Sequence, residues 1–161
     1  MEPSPPTLDA LRKNLAAEIA SGRVVIIPKG VWKEDGELEL SINPANEGTN
    51  SLVIENAGAT RKVKVPLTTI DHLVAELKIS RIDFVKMDIE GSEKPALEGG
   101  RQSIRRFRPR MTISAEHLPD DFTAIPALVH SIDPRYSTRG CDCTSEQGKF
   151  RAQALAFNPQ S

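Results

Sequence analysis

The chain has 161 residues, enough for one domain with a real core, and its 27% charged and 39% hydrophobic residues are those of a globular protein, not a disordered or fibrous one. A net charge of -1 lacks the excess of Lys and Arg that a nucleic-acid partner requires. No apolar run approaches the roughly 18 residues of a membrane span. The start Met1-Glu2-Pro3-Ser4-Pro5-Pro6 has neither the basic patch nor the apolar stretch of a secretory signal, so a cytoplasmic protein without a membrane partner is expected.

In chain order, residues 7–21 carry Leu8, Leu11, Leu15 and Ile19 at helical spacing, with Thr7 as a possible N-cap and Gly22 as a stop. Residues 23–28 form a short β-branched run, the pattern of a strand buried on both faces of a parallel sheet. Residues 37–66 alternate apolar and polar positions (37–42, 51–54, 62–66) between Asn, Gly and Pro clusters, which predicts short antiparallel strands inserted in a single domain spanning 1–161. A helix is predicted over 69–78, a core strand over 82–88, and a short helix capped by Ser92 and ended by Gly99-Gly100. A further helix to Phe107, a strand over 110–115, a helix over 122–132 and an antiparallel pair (135–143 with 151–157) complete the chain. Strands alternating with helices predict an α/β, doubly wound, mostly parallel sheet with helices on both faces and a terminal antiparallel hairpin.

In such a sheet, ligands bind beyond the carboxyl ends of the strands. One end carries Lys86-Met87-Asp88-Ile89-Glu90-Gly91-Ser92-Glu93, where Lys86, Asp88 and Glu90 share a face if the strand persists. Crowded carboxylates raise one pKa while Lys86 lowers it, giving a group able to accept a proton or bind a cation. An internal ion pair is the alternative. The neighbouring strand ends at Glu116-His117, where the histidine is a candidate general base or a surface loop residue. Glu2 stands where dinucleotide-type sites place an acidic residue against ribose hydroxyls, although a carboxylate at a chain's start can be merely solvated. His72 and His130 fall within helices. The arginines at 101, 105, 106, 108 and 110 read as a solvated face complementing a helix dipole. Cys141 and Cys143 read as reduced thiols, because four zinc ligands are not at hand nearby.

Taken together, these residues resemble the FkbM family of methyltransferases. The resemblance is carried by Val65-Pro66-Leu67-Thr68-Thr69-Ile70-Asp71, Ile82 through Glu93, Leu97-Glu98-Gly99-Gly100, Pro109-Arg110-Met111 and Glu116-His117, with Glu2-Pro3-Ser4-Pro5, Leu11 and Asn14 at the start. It runs from Glu2 to about Cys143, and Lys-x-Asp-x-Glu-Gly-x-Glu is its most specific element. It implies a Rossmann-like class I fold that transfers a methyl group from S-adenosylmethionine to a hydroxyl of a sugar or polyketide-type acceptor. It also implies that Glu2 binds the cofactor ribose and that Gly30-Val31-Trp32 lies near the adenine. Asp88 and Glu90 would face donor and acceptor, and His117, with Glu116 alongside, would take the hydroxyl proton.

Against that family pattern, the first strand and the Gly-rich loop that holds the methionine part of the donor are missing before Glu2. The chain alone is therefore expected to bind donor weakly, to turn over poorly, and to self-associate through an exposed sheet edge. A non-catalytic remnant acting as a binding module is the rival reading. A metal-assisted hydrolase built on Asp88, Glu90, Glu116 and His117 is disfavoured, since only two strand ends and one His would supply the ligands, and no metal is expected.

Overall fold

A computed structural model describes residues 1–43, 49–54, 61–146 and 149–160; for 141–146 and 149–153 it describes the backbone alone. The order of elements is α1 (Pro5–Asn14), α2 (Ala16–Ala20), β1 (Gly30–Val31), β2 (Gly36–Ile42), β3 (Arg61–Thr68), α3 (Ile70–Glu76) and β4 (Phe84–Met87). There follow α4 (Glu93–Glu98), α5 (Arg101–Phe107), β5 (Arg110–Ser114), α6 (Asp121–Ile132), β6 (Tyr136–Glu146) and β7 (Lys149–Pro159). The strands form two sheets, ordered β1-β3-β2 and β4-β5-β7-β6. Among the described residues no helix is long and apolar enough to cross a membrane.

The larger sheet holds the core. Val85 and Met87 pair in register with Met111 and Ile113, which pair in turn with Phe157 and Leu155, so these side chains share one face. That face packs on Ala96 and Leu97 of α4, Ile104 of α5, and Ile125, Val129 and Ile132 of α6. Val31 and Ile70 join the same cluster and so tie the smaller sheet and α3 to it. The opposite face carries Phe84, Lys86, Thr112 and Ala156, and Phe84 is 54% exposed. Among the described residues, α4, α5 and α6 therefore cover one face of this sheet. Helices on both faces were expected from the α/β alternation; among the described residues the second face instead leaves a large apolar side chain, Phe84, exposed.

The sheets are mixed and not mostly parallel. Among the described residues only β4–β5 and the two-residue β1–β3 pairing are parallel, while β2–β3, β5–β7 and β6–β7 are antiparallel. The strand expected over 23–28 does not form. Its β-branched residues favour extended backbone, but a strand also needs a neighbour within hydrogen-bonding reach. Val25 is 67% exposed, and this stretch bonds through its backbone to helix-end Glu18 and, at Ile27, accepts the Glu2 N–H at 3.0 Å, with no ladder among the described residues. Pairing begins only at Gly30, and with β3. Residues 51–54 make a single bridge, Ser41 to Ser51, in place of a strand. The first helix starts at Pro5 after an N-cap at Ser4, so that Pro5 and Pro6 fall where absent N–H groups cost nothing, and it breaks at Leu15. The β4–β5 order, the helix after Gly100 and the terminal hairpin agree with expectation. The side chains of Cys141 and Cys143 lie outside the described ones.

Gly99 ends α4 because nothing larger fits there. A Cβ at this position would collide with the Trp32 carbonyl oxygen and lie 3.1 Å from Thr69 Cβ. The backbone at Gly99 also accepts the N–H of Asp71 at 3.0 Å, so the residue joins α4 to the start of α3. Gly99→Ala is expected to destabilise the protein by about 1–3 kcal/mol through overpacking, read as a lower urea midpoint at unchanged slope.

Asp133 closes α6 with a side chain that is almost wholly buried and takes both arms of Arg135, at 2.9 and 2.7 Å. The Arg135 hydrogen bonds hold its carboxyl down to about 2, against a small opposing cost of burial. A carboxylate lowered in the folded state stabilises above its unfolded pKa, and that contribution is lost as pH falls through the folded value. Asp133→Asn is therefore expected to lower stability at pH 6, and urea midpoints of wild type and variant should converge between pH 4 and pH 2.

Candidate active site at the ends of the parallel strands

Two adjacent parallel strands deliver the charged residues. β4 ends at Met87 and β5 at Ser114, so Asp88 and the Glu116-His117 pair follow neighbouring carboxyl ends. The strand does not persist through Glu90, and alternation alone does not bring Glu90 to Asp88. Instead Glu90 sits at φ 53 and Gly91 at φ 93, a left-handed turn that folds the chain back into α4. Glu90 is held in that uncommon conformation by Ser51, whose hydroxyl donates to the Glu90 carbonyl at 2.6 Å.

His117 is the hub of the cluster. Its side chain is 8% exposed, and Nδ1 lies 3.0 Å from Glu93 Oε1. On the other side of the ring, Nε2 lies 3.5 Å from Glu90 Oε1 and 3.7 Å from Asp88 Oδ1. Glu93, in the first turn of α4, is fully buried, and its Oε1 also accepts the Ile89 N–H at 2.9 Å. Lys86 pairs with the other oxygen of Asp88, Oδ2, at 3.0 Å from a largely exposed position.

The charges set one another. The hydrogen bond to Glu93, opposed by burial and assisted by the charges of Glu93, Glu90 and Asp88, pushes the His117 imidazole up to about 9. Burial would raise Asp88, but hydrogen bonds from Lys86 and Ser114 and the charges of Lys86 and His117 bring its carboxyl below the usual range. Burial raises Glu90, partly offset by His117 and reinforced by the charges of Asp88, Glu93 and Glu116. The two carboxylates that flank the ring are thus pushed apart, as the mixed company of like charges and Lys86 led one to expect.

A cleft of about 570 Å³ opens beside this cluster. Glu2, Lys29, Gly30 and Val31 line it together with Asp88, Glu90 and Ser92. Of the residues singled out in the sequence, Glu2, Gly30, Val31, Asp88 and Glu90 meet on this cleft. His117 is not on its wall and reaches it through Asp88 and Glu90. Glu116 is exposed and makes no hydrogen bond or ion pair among the described residues, so it stands apart from the ring. Glu2 Oε1 accepts the Ser4 N–H at 2.7 Å, which holds the carboxylate at the cleft's rim.

Glu93, Ser92 and Ser51 were missed as site residues. Glu93 belongs to the motif, but its burial behind the histidine depends on the left-handed turn, which no local pattern announces. Ser51 lies 39 positions from Glu90 in a segment read only as strand. His72 pairs with Asp35 at 2.6 Å and His130 with Thr138 at 3.3 Å, each with a partner outside the cluster and each exposed.

An α/β domain with mixed sheets, a charged cluster at the ends of two adjacent parallel strands and a cleft alongside has the layout in which such folds bind ligands. Comparison with known proteins narrows it. Residues 1–139 match the methyltransferase FkbM domain, and the chain belongs to that family. The hexuronic acid methyltransferase AglP of Haloferax volcanii is 27% identical over 105 residues, covering 65% of this chain and 41% of AglP. The crystal structure of methyltransferase FkbM from Methylobacillus flagellatus KT superposes with a TM-score of 0.65 at 23% identity, over 97% of this chain and 35% of that one. The chain thus spans well under half the length of both proteins, and the latter likeness is one of fold.

Proposed function

We propose that this domain transfers a methyl group from S-adenosylmethionine to an oxygen of a sugar, and that a hexuronic acid is the acceptor class. The observation that carries the reading is the carboxylate-rich cluster of Asp88, Glu90 and His117 at the strand ends, opening on a cleft shared with Glu2, Gly30 and Val31. Methyl transfer from a sulfonium requires mainly in-line positioning of two reactants and removal of one proton. Carboxylates at the cleft favour the positive sulfonium, and Asp88 and Glu90 stand between donor and acceptor. The proton released by the acceptor passes to the Glu90 carboxylate at the cleft, whose pKa burial raises, because His117, pushed up to about 9, already carries its proton at neutral pH. Glu2 holds the ribose hydroxyls, and Gly30 and Val31 flank the adenine.

AglP acts on a hexuronic acid, by its name. A uronic carboxylate needs a cation, and Lys29 lines the same cleft. The test uses the longest polypeptide encoded by the gene, with labelled S-adenosylmethionine and a panel of glucuronic acid, its methyl ester and glucose. Label is expected on a sugar oxygen, with the acid preferred over glucose. Lys29→Ala should raise KM for the acid and leave that for glucose within a few-fold. Failure to label any of the three while donor is bound would reject the acceptor class, and absence of donor binding would reject the methyl-transfer reading itself.

A further inference from the structure

We propose that Asp88, Glu90 and His117 form the seat of a divalent first-row transition ion that holds and polarises the methyl acceptor. Its purpose rests on the function proposed above, whereas the seat itself stands on geometry. One ligand atom from each residue lies within 4.8 Å of the others. Metal–ligand bonds near 2.0–2.2 Å place neighbouring ligand atoms roughly 3.0 Å apart in octahedral and about 3.4 Å apart in tetrahedral sites. The separations of 3.5 and 3.7 Å from His117 Nε2 to Glu90 and Asp88 are within a few tenths of an ångström of the latter.

The surroundings are arranged for a ligand as well. A metal-binding histidine usually gives its other ring N–H to a carboxylate, which fixes the ring and its tautomer. Glu93 is that carboxylate, at 3.0 Å from Nδ1, and its burial leaves Nε2 aimed at the two flanking acids. Lys86 bonds Asp88 through Oδ2 and leaves Oδ1 facing the ring. A second observation is independent of the acids. The Ser92 hydroxyl is on a residue only 2% exposed, borders the same cleft, and has no hydrogen-bond partner among the described residues. Buried hydroxyls are seldom left so, and rotation of this side chain toward the cleft would bring it to an ion-bound water or acceptor oxygen.

A set of one nitrogen and two carboxylate oxygens suits Mn²⁺, Fe²⁺ or Zn²⁺ better than Mg²⁺ or Ca²⁺, which prefer oxygen throughout. Because only three protein groups contribute, positions remain open toward the cleft wall formed by Asp88 and Glu90. An acceptor hydroxyl or carboxylate bound there would be polarised, and the hydroxyl made easier to deprotonate. In that state Nε2 holds the ion, and the acceptor's proton leaves to a carboxylate or to water. Glu93 acts as a positioning residue.

The test titrates Mn²⁺ into the protein with neither donor nor acceptor present, following loss of the free-ion electron paramagnetic resonance signal, with Zn²⁺ and Mg²⁺ as competitors. One saturable site per chain is expected, displaced by Zn²⁺ and not by equal Mg²⁺. Glu90→Gln should weaken it at least tenfold, and Glu93→Gln by about 10–100-fold, the usual effect of removing an outer partner. Glu90 is half-buried, and Glu90→Gln keeps its size and shape, so this variant keeps the test valid if His117→Ala fails to fold. No saturation up to millimolar Mn²⁺, or equal affinity in wild type and Glu90→Gln, overturns the proposal. A failed methyl-transfer assay leaves this result untouched, because no substrate takes part in it.

Discussion

In the longest polypeptide encoded by the gene, replacing Asp88 by asparagine is expected to lower turnover of bound donor about a hundredfold or more while changing donor affinity only a few-fold. The amide keeps the volume of the carboxylate and can still accept from Lys86 at the Oδ2 position, where the pair is 3.0 Å apart. What it removes is the negative charge at Oδ1, 3.7 Å from the His117 ring and on the wall of the cleft. A group that positions or deprotonates the acceptor acts mainly in the transition state, and such groups are typically worth about 10²–10⁴ in rate. Single-turnover transfer of labelled methyl, beside calorimetric binding of S-adenosylhomocysteine, separates the two quantities. Collapse of affinity with unchanged turnover of the bound complex would make Asp88 a donor-binding residue.

Glu93→Gln should be the most damaging near-isosteric change to stability in the site, and its cost should depend on pH. The amide oxygen still accepts the Ile89 N–H, so the turn is kept. The charge opposite His117 is lost from a fully buried position, and a hydrogen bond between charged partners is worth about 1.5–3 kcal/mol. Folding pushes the His117 imidazole up to about 9, from an ordinary value of 6.5. A histidine raised in this way contributes stability that is complete below its unfolded pKa and lost as pH rises through the folded one. In chelator-treated buffer the difference in urea midpoint between wild type and Glu93→Gln should therefore be largest at pH 6 and shrink toward pH 9 and above. A difference that stays constant across that range would show that the Glu93 charge does not act through the ring.

Local patterns carried much of this protein, and their limits have physical causes. Helices α3, α5 and α6 follow from periodic apolar residues and from stops such as Gly99-Gly100, which depend on near neighbours only. β4, β5 and the terminal hairpin were legible for the same reason. Residues 23–28 were not, because a β-branched run specifies an extended backbone while its partner is chosen elsewhere in the chain. Burial of one sheet face was legible as alternation, but exposure of Phe84 on the other depends on which elements pack there, which local pattern does not specify. In the site, Asp88, Glu90 and His117 could be named from strand ends. The cluster itself depends on a left-handed backbone at Glu90 and on a carboxylate, Glu93, that reaches the ring from 24 residues away. Membership in the FkbM family was carried by residues that also build this cluster, which is why the resemblance and the geometry meet at the same strand ends.

The hydroxyl of Ser51 spans two parts of the chain that otherwise serve different ends. It fastens the carbonyl of Glu90 and accepts the N–H groups of Val53 and Ile54 at 3.1 and 2.8 Å, while Ile54 packs within 3.3 Å of where a side chain on Gly91 would begin. The β-rich stretch thereby acts as a set screw on the turn that aims Glu90. Exchanges at positions 51–54 can re-aim that carboxylate by fractions of an ångström, so descendants of this protein have a route to new acceptors that leaves Asp88, Glu93 and His117 untouched.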